Sequence, residues 1–483
     1  MVLRVLGLVA SLIFAGPDGG ARSYCPDGAT AEGAEARVVA AECLAAASDW
    51  TAAAGLYERV VREEPAGPLV ERSLAALVAG YRSTAQFAEA ARAAELLVAR
   101  YPRNGESPEL LVEAAWWRVG LGQRAQADAD FEMYATLFGR KDPARAAEVH
   151  WSRLEIFKSE AETQAHLGEY LRRYGKAGGA DRRIVAEVKL GQIEWRRSCE
   201  RGMLADLCIS IERYYVRPIC VYYGSKRAAS MVKPRAPDYC AGEYPRFTFY
   251  PHHPRLAEAG QRRFAAALRA ASGVTAPADQ PERGAALAEA LALARLYRTD
   301  RRLFEVAVGA ELGDIDFTDG DASGPPRPHA GSLRRYGDHV ARTRELVQAV
   351  AQEYIEIGRA GPALEFMASW RVGVLHESLG QSLRRVEIPA AVGWRYTAQD
   401  TYCAEFTRAA APSFAAAKVA YRRCATLPLA GDRFGVQPLC EDAMHMRDPV
   451  HYPWVDEFVG ERVNAASQPE SLGLQPFARW SAE

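Results

Sequence analysis

Apolar side chains between residues 50 and 134 recur on two scales, one of a helical turn and one of a whole structural unit. Trp50, Ala53, Tyr57 and Val60 lead to Pro65; Phe87, Ala90, Ala94 and Leu97 lead to Pro102; Ala127, Phe131 and Tyr134 follow Arg124. Residues three and four apart share one helix face, so each run predicts an amphipathic α-helix. The small residues Ala53, Ala90 and Ala127 stand at a constant interval of 37 residues. They fall where the second helix of a hairpin must lie close against the first, and Tyr57, Ala94 and Phe131 extend the same stripe one turn on. Pro65 and Pro102 end their helices because proline has no backbone N–H to donate. A partner helix precedes each run, marked by Leu74, Leu77, Val78 and Tyr81 in one unit and by Leu111, Ala114 and Ala115 in the next. Repetition in this range of periods predicts a helical solenoid.

The pattern loosens downstream without vanishing. Helices are expected at 146–158 and 161–174, before the glycine-rich stretch Gly175 to Gly179, and again at 182–197. From Cys199 the helical period gives way to Tyr, Pro and Cys, as in Tyr214-Tyr215 and Tyr222-Tyr223, which predicts a disulfide-stapled insertion over 199–253 containing a short β-hairpin. Helical hairpins resume over 254–312, an acidic polar loop spans 313–332, and long amphipathic helices at 333–358, 362–387 and 397–427 form a C-terminal helical region over 333–465 ahead of a tail at 466–483. The expected fold is all-α, a TPR-like α-solenoid of antiparallel hairpins over 24–198 joined to an irregular insertion and a helical bundle.

Composition narrows the function. With 49% hydrophobic residues the chain has ample core material, and 483 residues exceed what one compact core holds. Sixty Lys and Arg balance sixty-one Asp and Glu, so no long-range field attracts nucleic acid or anionic lipid. Met1, Val2, Leu3 and Arg4 precede an apolar run from Val5 to Ala15 and then Pro17, Gly19 and Gly20, the order of a secretory signal over 1–23 with cleavage after Ser23. That run is shorter than the roughly 20 apolar residues of a membrane span. Arg22-Ser23-Tyr24 before Cys25 lacks the small-residue context of a lipid-attachment site. Export to a periplasmic location, free or held at the outer membrane through partners, would place the nine cysteines where disulfides persist. Sequence proximity suggests Cys199 with Cys208, Cys220 with Cys240, Cys424 with Cys440, and Cys25 with Cys43, leaving Cys403 free.

No pattern of a catalytic or cofactor site emerges. There is no Gly-x-Ser-x-Gly elbow, no His-Glu-x-x-His, no phosphate-binding loop and no dinucleotide fingerprint. Asp314, Asp316, Asp319 and Asp321 miss the spacing of a calcium loop and read as a solvated acidic segment. His252-His253 lacks a nearby carboxylate, and the cysteines lack the short paired spacing of zinc sites, so no metal, cofactor or small-molecule substrate is expected. An envelope enzyme, for instance one acting on peptidoglycan, would need His252 and His253 to converge with the Asp316 to Asp321 segment; a plain structural spacer is the other alternative.

The segments Leu171-Arg-Arg-Tyr-Gly175, Leu190-Gly-Gln-Ile-Glu-Trp195, Trp370-Arg-Val-Gly373, Ala420-Tyr421-Arg-Arg-Cys424 and Tyr452-Pro453 look like those of envelope tetratricopeptide-repeat proteins of myxobacteria, a family that includes a periplasmic component of the gliding-motility machinery. The likeness runs over most of residues 40–460. It implies a non-catalytic scaffold whose partners are other envelope proteins. In such a scaffold the first helices carry the binding groove, and Glu71, Arg72, Ala75 and Arg82 are candidates for it because they fall off the apolar stripe of their helix. The register of the repeat is directly testable: Ala90→Trp should overpack its hairpin and lower the unfolding free energy by about 1–3 kcal/mol or more in chemical denaturation, and unchanged stability would overturn it.

Overall fold

The computed structural model describes residues 25–26, 32–199, 204, 206–212, 240, 246–309, 330–386 and 396–453. The fold is an all-α helical repeat solenoid, with fifteen α-helices and one small two-stranded ribbon among the described residues. It divides into two compact units, Met1–Ala186 and Glu187–Glu483. The division falls inside a helix.

The first unit contains α1 (Ala34–Ala46), α2 (Trp50–Glu63), α3 (Pro68–Ser83), α4 (Phe87–Arg100), α5 (Ser107–Gly120), α6 (Arg124–Leu137), α7 (Pro143–Ser152), which runs into a 3-10 turn at Arg153–Ile156, and α8 (Glu160–Arg173). The helix α9 (Ala180–Arg197) begins in this unit and ends in the next. Ala53, Ala90, Ala94 and Ala127 are completely buried, and Tyr57, Tyr81 and Phe131 nearly so. Pro65 and Pro102 each lie two residues beyond the last residue of α2 and α4, in exposed linkers. Proline also begins helices here, because the first turn has no carbonyl to receive its missing N–H: Pro68, Pro108 and Pro143 sit in the first turns of α3, α5 and α7.

Each of the first three hairpin turns is built alike. Ser48, Ala85 and Gly122 adopt left-handed backbone conformations, with φ of 63°, 58° and 73°, at the same 37-residue interval. The next N–H in each case reaches back to a carbonyl of the first helix: Asp49 to Leu44, Gln86 to Tyr81 and Gln123 to Arg118, at 2.9, 2.8 and 2.8 Å. This closes the helix end and turns the chain directly into the second helix. Trp50, the first residue of α2, packs edge-on against Tyr81 at 5.4 Å and covers Gly80 so closely that a Cβ there would collide with the indole.

In the second unit, the end of α9 is followed by β1 (Ile209–Glu212), β2 (Arg246–Phe249), α10 (Pro254–Ala270), α11 (Pro281–Gly309), α12 (Ala330–Gly358), α13 (Pro362–Arg384), α14 (Tyr396–Ala425) and α15 (Gln437–Arg447). The expected hairpin exists, yet its strands bracket the long segment 213–245: Ile209 faces Phe249 and Glu212 faces Arg246 in an antiparallel pair. Helix α11 is one continuous helix of 29 residues within the expected helical stretch 254–312, and α15 follows the three long helices inside the expected C-terminal helical region. Helix α13 is buried on every side from Leu364 to Leu383, the signature of a central helix. Gly373 lies under the Tyr421 ring, and a Cβ on Gly380 would stand 2.9 Å from the Phe414 ring of α14. Gly191 and Gly260 do the same for α9 and α10, since a Cβ on Gly260 would meet the Gly191 carbonyl at 2.8 Å.

Four disulfides are present among the described residues. Cys25–Cys43, Cys199–Cys208 and Cys424–Cys440 are the expected ones. Cys240 instead bonds to Cys403, with Cα atoms 5.3 Å apart and a sequence separation of 163, so Cys403 is not free and Cys240 does not pair with Cys220, which lies outside the described residues. The reason is positional: the Cys240 N–H bonds to the Val386 carbonyl just past α13, which sets it beside the start of α14 rather than beside its neighbour in sequence. A prediction follows from the turns. Ala85→Gly should raise the unfolding free energy by about 0.5–1 kcal/mol, the relief of a left-handed alanine less the extra freedom of glycine when unfolded, and Gly122→Ala should lower it; denaturant titration of both variants checks the sign.

Candidate functional site

The first helices α1, α3, α5, α7 and the start of α9 form the row on which the groove residues were placed. Three of the four are already engaged within the solenoid. Arg72 of α3 pairs with Glu42 of α1 at 2.5 Å, Arg82 pairs with Glu113 of α5 at 3.2 Å, and Glu71 accepts a hydrogen bond from Asn104 at 2.8 Å. The scheme continues along the row: Arg145 of α7 holds Glu109 of α5 at 2.6 Å, and Arg182 of α9 stands 3.9 Å from Glu148 of α7. Each neighbouring pair of first helices is thus bridged by an Arg and a Glu. Ala75 is half-buried, as is Val112, its counterpart 37 residues on, while Val39 near the start of the row is half exposed.

A second ladder ties each second helix to the next first helix. Glu58, Glu95 and Glu132 recur at the repeat interval. Tyr81 donates its hydroxyl to Glu58 at 2.8 Å, Arg118 grips Glu95 through two bonds of 2.8 and 3.1 Å, and Arg153 reaches Glu132 at 3.0 Å. The Arg–Glu pairs between first helices are mostly exposed and contribute little stability singly, whereas Arg118 and Arg153 of the second ladder are largely covered. Their effect here is to register each hairpin on its neighbour and to consume the charges that border the row.

Two titratable clusters lie inside this unit. His150 and His166 stack face to face at 4.0 Å between α7 and α8, among Tyr170, Tyr174 and Phe157; His166 Nε2 donates to the His150 carbonyl at 2.9 Å. Burial, aided by the neighbouring ring and by Arg153, lowers His150 to about 3, and burial lowers His166 as well. Asp130 of α6 is buried beside Glu95, and desolvation together with that carboxylate pushes it up to about 7 against the pull of Arg118.

In the second unit the predicted His252 and His253 diverge. His253 is exposed at the start of α10, whereas His252 turns inward onto Trp195, ring centroids 4.0 Å apart, and beside Phe304 at 5.6 Å. Its Nδ1 lies 2.6 Å from Ser198 Oγ and 3.3 Å from Cys208 Sγ. Burial holds the imidazole neutral, down to about 4. Sequence reasoning weighed His252 with its neighbour and with the acidic residues; the partners it finds are Ser198 and the Cys199–Cys208 disulfide. Asp314, Asp316, Asp319 and Asp321 lie outside the described residues.

The same unit buries whole ion pairs. Arg371 of α13 binds Asp300 of α11 at 2.6 and 3.0 Å, and Tyr354 of α12 donates to the same carboxylate at 2.7 Å. Glu377 of α13 accepts from Tyr421 of α14 at 2.9 Å and pairs with Arg447 of α15. These groups pair with each other and serve the packing. Compared with known proteins, the chain matches no family model and no curated protein.

The titrations make a prediction. Unfolded His150 takes up a proton near pH 6.5 and the folded form only near 3, so the unfolded chain binds more protons in between. Stability from this group is complete above pH 6.5 and lost as pH falls through that window, at about 1.4 kcal/mol per pH unit. Asp130 acts oppositely, because its raised carboxyl binds a proton more tightly when folded and costs stability as pH rises from 3.8 to about 7. Asp130→Asn removes that opposition, so its unfolding free energy should fall on acidification from pH 7 to 4.5 more steeply than that of the unsubstituted chain.

Proposed function

We propose that this chain is an exported, non-catalytic scaffold of the bacterial cell envelope that binds other proteins along the first helices of its repeat unit. The observation that carries this reading is the row itself: first helices locked in register by one Arg–Glu bridge each, with Ala75 and Val112 at equivalent, half-covered positions between the bridges. A surface repeated at a fixed interval on a preset frame binds an extended or helical partner without the cost of ordering itself first.

Export is supported by the apolar leader between Val5 and Ala15 and by the four disulfides. Among the described residues no helix is long and apolar enough to cross a membrane, which accords with a periplasmic location. The likeness of Leu171 to Gly175, Trp370 to Gly373 and Ala420 to Cys424 to myxobacterial envelope repeat proteins supports a trans-envelope assembly, such as a motility machine, as the partner complex.

Site-specific photocrosslinking in the native host tests the reading. A photoreactive residue at Ala75 or Val112 should capture specific envelope proteins, and one at Arg62, on the exposed side of α2, should not. Absence of capture from both row positions, in protein shown to be folded and exported, would overturn it in favour of a structural spacer.

A further inference from the structure

The surroundings of the Cys199–Cys208 disulfide set it apart from the other three. Cys199 ends the turn after α9 and forms an isolated bridge with His252, while Cys208 precedes β1 and its carbonyl accepts from the Tyr250 N–H at 2.9 Å. Three separate chain segments therefore converge on one point; the His253 N–H, bonded to the Ser198 carbonyl at 2.8 Å, closes the bridge between Cys199 and His252. Among the described residues, Cys199, Cys208 and His252 are the one group of three potential ligands whose donor atoms all lie within 4.8 Å of one another.

We infer that, once the Cys199–Cys208 disulfide is reduced, Cys199, Cys208 and His252 form a binding site for a zinc ion. Zinc takes thiolate sulfur at about 2.3 Å and imidazole nitrogen at about 2.0–2.1 Å in a tetrahedron, which sets neighbouring sulfur and nitrogen donors about 3.5 Å apart and two sulfurs about 3.8 Å apart. The Cys208 Sγ to His252 Nδ1 distance is already 3.3 Å, and Cα atoms 5.4 Å apart leave room for the two sulfurs to part to that spacing. Two thiolates and one neutral imidazole leave the fourth position to water or to a partner's side chain. The Trp195 and Phe304 rings, at 4.0 and 5.6 Å from the imidazole, supply the apolar wall that strengthens metal–ligand bonds. Ser198 Oγ, which donates to the Trp195 carbonyl at 2.5 Å, accepts the Nδ1 proton in the disulfide form. Metal on Nδ1 requires that proton to move to Nε2 and the Ser198 hydroxyl, which lies 2.6 Å from the same nitrogen, to rotate away from it.

The chemistry balances. An external dithiol gives two electrons and two protons to the disulfide, becoming a disulfide itself and leaving two thiols at Cys199 and Cys208. Zinc then displaces both thiol protons to water. The disulfide and the metal exclude each other, so the site reports the redox state of its surroundings.

The test uses the full mature chain, reduced with a phosphine under anaerobic conditions, loaded with zinc, desalted and analysed for metal. Reduced protein should retain about one equivalent of zinc and oxidised protein none, and cobalt should produce thiolate-to-metal absorption in the reduced form. His252→Ala and Cys199→Ser should abolish both signals, while Cys424→Ser, which opens a different disulfide, should keep them. His252→Cys replaces the nitrogen with a third sulfur and should restore binding, which separates a ligand from a packing residue where the alanine variant folds poorly. No retained zinc in the reduced chain, or retention undiminished by both Cys199→Ser and His252→Ala, would overturn the site.

Discussion

The repeat unit depends on how closely two helices can approach. A methyl group is the largest side chain that Ala53, Ala90 and Ala127 can carry where each second helix crosses its first, and all three are wholly buried. One turn on, Phe131 packs edge-on against Trp116 of its own hairpin and lies under Arg153 of the next, while Tyr57 joins the continuous core that the first units bury from Val38 to Ala114. The left-handed turn follows from the same demand. Helices this close need a connection of very few residues, and only a left-handed residue reverses the chain so abruptly, even where it must be Ser48 or Ala85 and not glycine. Because every hairpin meets only its neighbours, the stability of this unit is a sum of local contributions, and a bulky residue at one alanine position would damage one interface and spare those farther off.

The second unit meets a different constraint. Helix α13 is surrounded, so it has no polar face to give to solvent, and yet it carries Arg371 and Glu377. An unpaired buried charge would be prohibitive. Arg371 is met by Asp300, itself held by Tyr354, and Glu377 by Tyr421 and Arg447. Such pairs add little net stability over well-packed apolar residues. What they do is penalise alternatives: sliding α13 by one turn past α11 or α14 would strand both charges at once. Glycines at 373 and 380 permit the contact with α14, and the ion pairs select a single register for it.

Much of this was legible in the chain and some was not, for physical reasons. The hairpins of the first unit were readable because packing repeats, and repetition amplifies a weak single-residue signal: one alanine means nothing, but three at a fixed interval in equivalent stripes define a register. The glutamates at 58, 95 and 132 share that interval and could have been found the same way. Helix α15 was not delimited within the expected helical region because it is short and its one covalent tie, Cys440 to Cys424, is equally compatible with a loop. The Cys240–Cys403 bond was missed because sequence distance is a poor guide once a segment leaves its neighbours and returns along α14. His252 was weighed beside His253 and the acidic loop, whereas its partners at 198, 199 and 208 are brought to it by a β-ribbon and the end of α9. Nothing local marks such a convergence, since each residue is ordinary in its own segment.

The pairing of charges also bears on how the proposed scaffold would recognise a partner. A groove lined by free arginines would draw acidic partners over a distance and release them as salt rises. Here Arg72, Arg82 and Arg145 are occupied by Glu42, Glu113 and Glu109, and the chain as a whole carries a net charge of -1. Beside the bridges stand the half-buried Ala75 and Val112, whose counterpart on α1, Val38, is buried. Affinity on such a surface comes from shape and buried area, realised only on contact and summed over successive repeats. If the scaffold binds as proposed, the spacing of the repeats, and not the sign of any charge, would select the partner: a ligand with apolar residues in step with the first helices would gain from each repeat it spans, and one out of step from a single repeat alone.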